Sequence, residues 1–278
     1  MATTGHIFFF AGESKTGQAI GQAIETLAYR FKVHRAQMDH WSLQSQQRLI
    51  AAQARRLFKE EQVTLYDTNG RYYTDDEGLK HVLSLQELAQ CRPDMTPPFG
   101  LITKGNRAQY CDGAAFILLA SDVALKKYHL NALVRLADVN WAGVPPSENG
   151  LGAAYAVIRL LKKQHLALND IHYWEIDECF AGQLLACLAS WQEADYCQQH
   201  WDRSQPFGFI PTTQINVDGD SLAMGHPLNA SGIRITLHLA HVLHREKARL
   251  GIATGSIDLH QGTALLLVND LKTRSTLW

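Results

Sequence analysis

The sequence predicts an α/β layered fold preceded by a mostly helical region. Short apolar runs typical of buried strands alternate with helical patterns in the second half of the chain. In the first sixty residues, apolar side chains recur at helical spacing instead. The chain has 278 residues and is 46% hydrophobic, which is enough to bury at least one sizeable core.

The first hundred residues are predicted to be helical at first and irregular later. Residues 15–60 are predicted to form helices, the second of them from about residue 35 to residue 59, because apolar residues fall on one face. Residues 60–100 are polar and interrupted by glycine and proline, which predicts an irregular surface segment. The apolar residues 7–10 are too few for a membrane span and lack a preceding basic region, so they predict a buried strand.

The remaining elements are predicted from short apolar runs and from helical spacing. They are buried strands at 113–121, 133–141, 171–176, 250–254 and 263–268, and helices at 151–163 and 180–191. Residues 233–243 fit both an alternating strand and a buried helix. The polar and small residues 229–232 before them are typical of a capped helix start, which favours the helix.

Composition excludes several classes of function. The net charge is −1, from 26 basic and 27 acidic residues without a basic run, so neither nucleic acid nor an anionic membrane is expected as the main partner. The five cysteines are odd in number and lack CxxC spacing, which argues against a disulfide framework or a zinc site. Free thiols suit a reducing compartment, so we expect a cytoplasmic protein.

Residues 224–232, with the sequence MGHPLNASG, carry the clearest chemical pattern. Glycine and proline on either side of His226 predict a tight turn at the start of a helix, which would hold one imidazole rigidly. An imidazole titrates near neutral pH, so it can take a proton from a thiol or polarise a carbonyl.

This pattern resembles the GHPxGASG signature of the thiolases, which make and break carbon–carbon bonds next to a coenzyme A thioester. Residues 216–227 resemble the NxxGGxIAxGHP approach to that signature, and residues 175–181 resemble the NEAFA or HEAFA motif. Residues 103–115 resemble the segment TAGNxxxxxDGAA. The resemblance covers roughly residues 15–270 in family order.

The resemblance implies a C-terminal βαβαβαββ layered domain at residues 126–278. Residues 1–100 would correspond to the helical and irregular loop region of the family, and residues 101–125 to a remnant strand of its N-terminal domain. On these motifs we expect the N-terminal domain that carries the nucleophilic cysteine to be absent. A second chain with a thiolase N-terminal half, or a homo-oligomer, would then be the protein partner.

The resemblance also implies roles for single residues. His226 matches the catalytic histidine, and Ser256 stands where the family has its second catalytic cysteine. Asp177 replaces an Asn or His that holds a water or an oxygen, and a carboxylate there would repel a forming enolate unless it is protonated. Cys179 either replaces the thiol lost at Ser256, as in the HDCF motif of sterol-carrier-type thiolases, or is a small buried thiol at a helix start.

The coenzyme A loop of the family corresponds to Arg107 and Ala108, where a small hydroxyl contact is lost and Arg107 either meets a phosphate or is a solvated charge. No cofactor is implied beyond the coenzyme A thioester substrate. The expected function is acyl-CoA C-acyltransfer, to or from coenzyme A in fatty-acid or acetoacetyl-CoA metabolism, with no activity of the isolated chain. The alternatives are a non-catalytic homologue that binds acyl-CoA or a protein, and a degenerate truncated product.

Overall fold

The computed structural model describes residues 20–76, 82–94, 100–257 and 260–270. The strand predicted at residues 7–10 lies outside the described residues. The helices of the described part are α1 (Ile20–Arg30), α2 (Arg35–Ala54), α3 (Leu85–Gln90), α4 (Asp122–Tyr128), α5 (Gly152–Gln164), α6 (Ala181–Ser190), α7 (Ala194–Trp201), α8 (Ser221–Met224) and α9 (Ser231–Arg245). Its strands are β1 (Leu65–Tyr66), β2 (Tyr72–Tyr73), β3 (Arg135–Gly143), β4 (Tyr173–Ile176), β5 (Leu250–Ile257) and β6 (Gln261–Val268).

The main sheet has four strands in the order β3-β6-β5-β4. β6 pairs antiparallel with both β3 and β5, whereas β4 pairs parallel with β5. Because β4 and β5 run in the same direction, the residues that follow their carboxyl ends lie at one edge of the sheet. Asp177 follows β4 directly, so this edge is where the candidate site begins.

Helices cover both faces of this sheet. Ile252 and Leu266 pack in one hydrophobic cluster with α5, whereas Ala253 and Leu267 pack in another cluster with α9. Successive strand residues point to opposite faces, so α5 and α9 lie on opposite sides of the sheet. The predicted α/β layered architecture is therefore confirmed, as is the helix rather than a strand at residues 233–243.

The N-terminal helices share the larger core with the layered domain. Ile24 on α1 and Met38 and Trp41 on α2 are buried in the same cluster as Trp174 and Trp191. Gly182 on α6 permits this close approach, since a Cβ there would lie 2.9 Å from the Met38 Cε atom. Helices were correctly predicted for residues 20–54, but α3 and the β1–β2 hairpin lie in the segment that was predicted to be irregular.

The apolar segment 113–121 differs most from its prediction. It was expected to be a fully buried strand, but it forms no strand in the structure. Phe116 is 85% exposed and Leu118 is 83% exposed, whereas Ile117 is 36% exposed. No strand in the described ranges pairs with this segment, so its apolar side chains have no layer to pack against. The prediction was wrong because burial of a strand needs a partner as well as an apolar sequence.

Within the ranges that the structure describes, no helix combines the length and the apolar character that crossing a bilayer requires.

Candidate active site

A tight turn between α8 and α9 holds His226. Gly225 has a φ of +95°, a conformation that suits glycine, and a Cβ there would lie 2.8 Å from the Cys111 Sγ atom. The His226 N–H donates to the carbonyl oxygen of Gln109 at 2.8 Å, which ties the turn to the segment before residue 113. His226 itself is 7% exposed. The predicted rigid placement of this imidazole is therefore what the fold produces.

The ring of His226 contacts two side chains through its Nδ1 atom. Ser231 Oγ lies 3.0 Å away, and Asp177 Oδ1 lies 3.5 Å away. Ser231 was expected to belong to a capped helix start, but its hydroxyl points to His226, and Ala230 occupies the N-cap position without a side-chain cap. Burial lowers the pKa of His226, but the contact and charge of Asp177, together with the charge of Asp220, raise it above the usual histidine value overall.

Asp177 is fixed at the carboxyl end of β4. Its N–H donates to the Thr254 carbonyl oxygen at 2.9 Å, and its Oδ1 accepts a hydrogen bond from Ser221 Oγ at 3.0 Å. Asn216 holds the end of the same strand, since its side chain both accepts from the Ile176 N–H and donates to the Ile176 carbonyl oxygen. The carboxylate is thus placed beside the imidazole.

Arg234 and Asp220 complete the charged part of the cluster. Arg234 Nη2 on α9 forms an ion pair with Asp220 Oδ1, and it also donates to Ser221 Oγ at 3.1 Å. Asp220 is fully buried and its Oδ2 accepts from the N–H of Glu178 at 3.1 Å. Sequence reasoning did not assign a role to Arg234, Asp220 or Ser221. Only their positions near His226 could have indicated one. Asp220 and Ser221 lie six and five residues before His226, and Arg234 lies eight residues after it.

Glu178 anchors the motif to the N-terminal helices. Its carboxyl group accepts hydrogen bonds from Trp41 Nε1 at 2.8 Å, Ser45 Oγ at 2.7 Å and Asn216 Nδ2 at 2.8 Å. Burial and the neighbouring charge of Asp220 raise the pKa of Glu178 to about 7. This residue therefore positions the segment that carries Asp177 and Cys179, and it makes α2 part of the site.

Cys179 lies beside the predicted coenzyme A loop. Its carbonyl oxygen accepts from the Ala108 N–H at 2.9 Å, and Phe180 forms a bridge with Arg107. Burial, followed by the charge of Asp177, holds the pKa of the Cys179 thiol well above its usual range. The thiol is thus protonated at neutral pH, which agrees with a small buried thiol and also permits a proton donor.

Arg107 and Ala108 were predicted to bind coenzyme A. The guanidinium of Arg107 forms an ion pair with Asp94 and donates to the Ala108 carbonyl oxygen at 3.4 Å. Its positive charge is therefore partly neutralised within the chain. Ala108 is 6% exposed, and its N–H and carbonyl oxygen are both hydrogen-bonded within the chain, so it offers little surface to a ligand.

Ser256 is engaged elsewhere. Its hydroxyl donates to the Gly150 carbonyl oxygen at 3.1 Å and accepts from the Ala153 N–H at 3.2 Å. These bonds fasten the start of α5 to β5. The structure thus brings His226 and Asp177 together and places Cys179 on the adjoining loop. Ser256 lies at the same edge of the sheet, where its hydrogen bonds stabilise the start of α5.

A cavity of about 240 Å³ lies beside the His226 turn. Its lining includes Gln46, Lys104, Gln109, Cys111 and Met224. It connects the N-terminal helical region with the residues next to the imidazole. The arrangement therefore offers a buried proton acceptor, a protonated thiol and adjoining space for a ligand.

Two family models match the chain. The model described as "Thiolase, C-terminal domain" matches residues 130–269, and the model described as "Thiolase, N-terminal domain" matches residues 11–123. The second match shows that the expected absence of the N-terminal domain was wrong. The expectation assigned residues 1–100 to the loop region of the family, whereas the match assigns residues 11–123 to the N-terminal domain. The separate partner chain was inferred on the same ground and loses its support.

Curated thiolases resemble the chain over most of its length. A beta-ketoadipyl-CoA thiolase from Pseudomonas aeruginosa is 34% identical over 249 residues, which are 88% of this chain and 58% of that protein. The mitochondrial 3-ketoacyl-CoA thiolase of Rattus norvegicus is 31% identical over 90% of this chain and 59% of its own length. This chain therefore spans about three fifths of the length of the curated relatives it matches.

Solved structures agree with these matches. Human mitochondrial 3-ketoacyl-CoA thiolase superposes with a TM-score of 0.78 at 30% identity, over 92% of this chain and 61% of that one. The acetyl-CoA acetyltransferase of Bacillus anthracis gives a TM-score of 0.79 at 27% identity, over 91% and 60% of the two chains. With both family models matched, with this fold and with His226 in the signature turn, the chain belongs to the thiolase family.

Proposed function

We propose that the chain is a thiolase-type acyl-CoA C-acyltransferase that transfers an acetyl or longer acyl group to or from coenzyme A. The observation that carries the proposal is the buried imidazole of His226 in the turn before α9, with Asp177 at its Nδ1 atom. The names of the relatives, which act on 3-ketoacyl-CoA and beta-ketoadipyl-CoA, support a 3-keto thioester as the substrate class.

Each residue has a role in the proposed reaction. His226 Nε2 accepts the proton of the coenzyme A thiol, whose sulfur then bonds to the keto carbon. The bond between that carbon and the α-carbon breaks, and the released α-carbon takes a proton from the thiol of Cys179. His226 returns its proton to the Cys179 thiolate, which restores both groups.

Five free cysteines support a reducing compartment such as the cytoplasm as the location of the protein.

Turnover of acetoacetyl-CoA with added coenzyme A tests the proposal. We expect the chain to form acetyl-CoA and the variant His226→Ala to be slower by about 10²-fold or more, since a general base typically contributes at least that factor. The matched control is His40→Ala, which removes an exposed imidazole from α2 and should leave the rate unchanged.

Calorimetric titration with coenzyme A separates the two possible failures. Binding without turnover would contradict catalysis and leave an acyl-CoA binding site, in agreement with the inactivity that the sequence predicted. The absence of both binding and turnover would refute the proposal altogether.

A further inference from the structure

We propose that Arg234, Ser221 and Asp177 are positioning residues that form a directed chain of polar contacts ending at His226. The chain keeps the proton of the neutral imidazole on Nδ1 and presents Nε2 as the proton acceptor of the site. The inference rests on the proposed function for its purpose, but its geometry stands independently of any substrate.

Direction is set at the first link. A guanidinium has hydrogen-bond donors and no acceptor, so Arg234 Nη2 donates to Ser221 Oγ, at 3.1 Å. The same nitrogen is held by the buried carboxylate of Asp220, which fixes the guanidinium on α9. Asp220 stands at the second glycine position of the NxxGGxIAxGHP pattern, so this anchor belongs to the present sequence rather than to that pattern.

Ser221 accepts a hydrogen bond from Arg234 and donates one to Asp177. A hydroxyl that accepts from Arg234 keeps its own hydrogen for a second partner, and Asp177 Oδ1 lies 3.0 Å from Ser221 Oγ. The carboxylate of Asp177 is thus an acceptor on this side. The same Oδ1 atom faces the imidazole.

The imidazole of His226 therefore has to present a donor N–H to Asp177. Asp177 Oδ1 lies 3.5 Å from His226 Nδ1, and a lone pair on Nδ1 would face the negative charge and be repelled. A proton on Nδ1 turns the same contact into attraction. Ser231 Oγ, at 3.0 Å from Nδ1, can accept from that proton as well, so it is compatible with this tautomer. The second ring nitrogen then carries the free lone pair.

The charged groups that face His226 come from three elements. They are Asp177 after β4, Asp220 before α8 and Arg234 on α9, and the two carboxylates outweigh the effect of the guanidinium on the histidine. An asparagine at position 177 could present either its oxygen or its amide N–H to Nδ1, whereas the carboxylate can only accept. The aspartate thus removes an ambiguity that the amide would leave.

Nitrogen-15 NMR of the imidazole tests the tautomer directly. Spectra of the full chain are recorded at a pH above the titration midpoint of His226, with the variant His226→Ala to assign its signals. We expect a pyrrole-like signal from Nδ1 and a pyridine-like signal from Nε2. In Asp177→Asn the amide can present either its oxygen or its N–H to Nδ1, so each of the two signals should lose part of its distinct character. Asp177→Glu, which keeps a carboxylate, should restore the original pattern at least in part.

A matched control removes one carboxylate that lies outside the contacts between Arg234, Ser221, Asp177 and His226. Asp195→Asn changes an exposed side chain on α7 and should leave both signals in place. A pyridine-like Nδ1 in the unchanged protein would overturn the proposal without any variant, and an unchanged spectrum in Asp177→Asn would do so as well. Coenzyme A titration of the same samples shows separately whether the proposed function holds.

Discussion

One carboxylate changes the character of the candidate site. Asp177 was expected to oppose a forming enolate because it stands where the family motif has Asn or His. In the structure its oxygen lies 3.5 Å from His226 Nδ1 and raises the pKa of the imidazole against the opposing effect of burial. The negative charge is thus directed at the imidazole, whose basicity it increases. The aspartate, which looks unfavourable in the sequence, is accommodated by the imidazole beside it.

The thiol of Cys179 gives a prediction at the scale of one residue. Burial and the charge of Asp177 hold its pKa well above the usual range, so little thiolate exists at neutral pH. We expect iodoacetamide to modify exposed Cys111 at least ten times faster than Cys179, as measured by mass spectrometry of digested protein over time. Buried Cys187 is the matched control and should stay unmodified for as long as the protein is folded. Modification of Cys179 at the rate of Cys111 would contradict this assignment and indicate an activated thiol.

Helix α9 links the candidate site to a second charged cluster. Arg234 near its start serves His226, and His238 one turn further on is buried among carboxylates. His238 Nδ1 lies 2.9 Å from Glu61 Oε1, and its Nε2 lies 3.3 Å from Asp218 Oδ2. Glu61 belongs to the segment after α2, so this cluster fastens the N-terminal region to the layered domain.

Stability should therefore depend on pH through His238. Burial lowers the pKa of His238, but the hydrogen bonds that its ring donates to Asp218 and Glu61 and the charge of Glu175 outweigh burial and raise the pKa to about 10. Because the folded pKa lies above the unfolded value of about 6.5, the stabilisation is complete below pH 6.5. It is lost progressively as the pH rises from 6.5 to 10. We expect the free energy of unfolding in urea to fall by a few kcal/mol over that range.

The variant His238→Gln isolates this contribution. It should be less stable than the unchanged protein at pH 6, with the difference shrinking towards pH 10. The matched control is His244→Gln, a substitution at an exposed position near the end of the same helix, which should keep the original pH dependence. Equal slopes for the unchanged protein and His238→Gln would contradict the assignment.

For the whole molecule, the sequence predicted those parts whose packing is local. The helix over residues 151–163 and the strands around 250–254 and 263–268 were correct because each presents its own apolar face to the sheet or to a helix. His226 and Asp177 were found from short motifs. Arg234, Ser221 and the contact between Trp41 and Glu178 were missed, because they depend on side chains that are brought together from distant segments.

The N-terminal region illustrates the same limit. Its helices were predicted, but their membership in the thiolase N-terminal domain was not, since buried residues such as Ile24 and Met38 satisfy a packing requirement that many sequences can meet. The prediction of a buried strand at residues 113–121 was wrong for the opposite reason. Its apolar residues met every local criterion for a buried strand, and burial depends on a neighbouring strand that the local sequence does not specify.

That segment carries the last prediction, which concerns the surface of the whole molecule. Phe116 and Leu118 are more than 80% exposed. Their apolar area therefore favours association with other molecules and contributes little to the free energy of folding. We expect the double variant Phe116→Ser and Leu118→Ser to bind less of the dye ANS and to self-associate less in sedimentation, with an unchanged free energy of unfolding. Ile117→Ser is the matched control, because the half-buried Ile117 should lose about 1 kcal/mol of stability when it becomes polar. A loss of several kcal/mol in the double variant would instead show that Phe116 and Leu118 are packed in solution, and that segment 113–121 is covered by a strand or by a second copy of the chain.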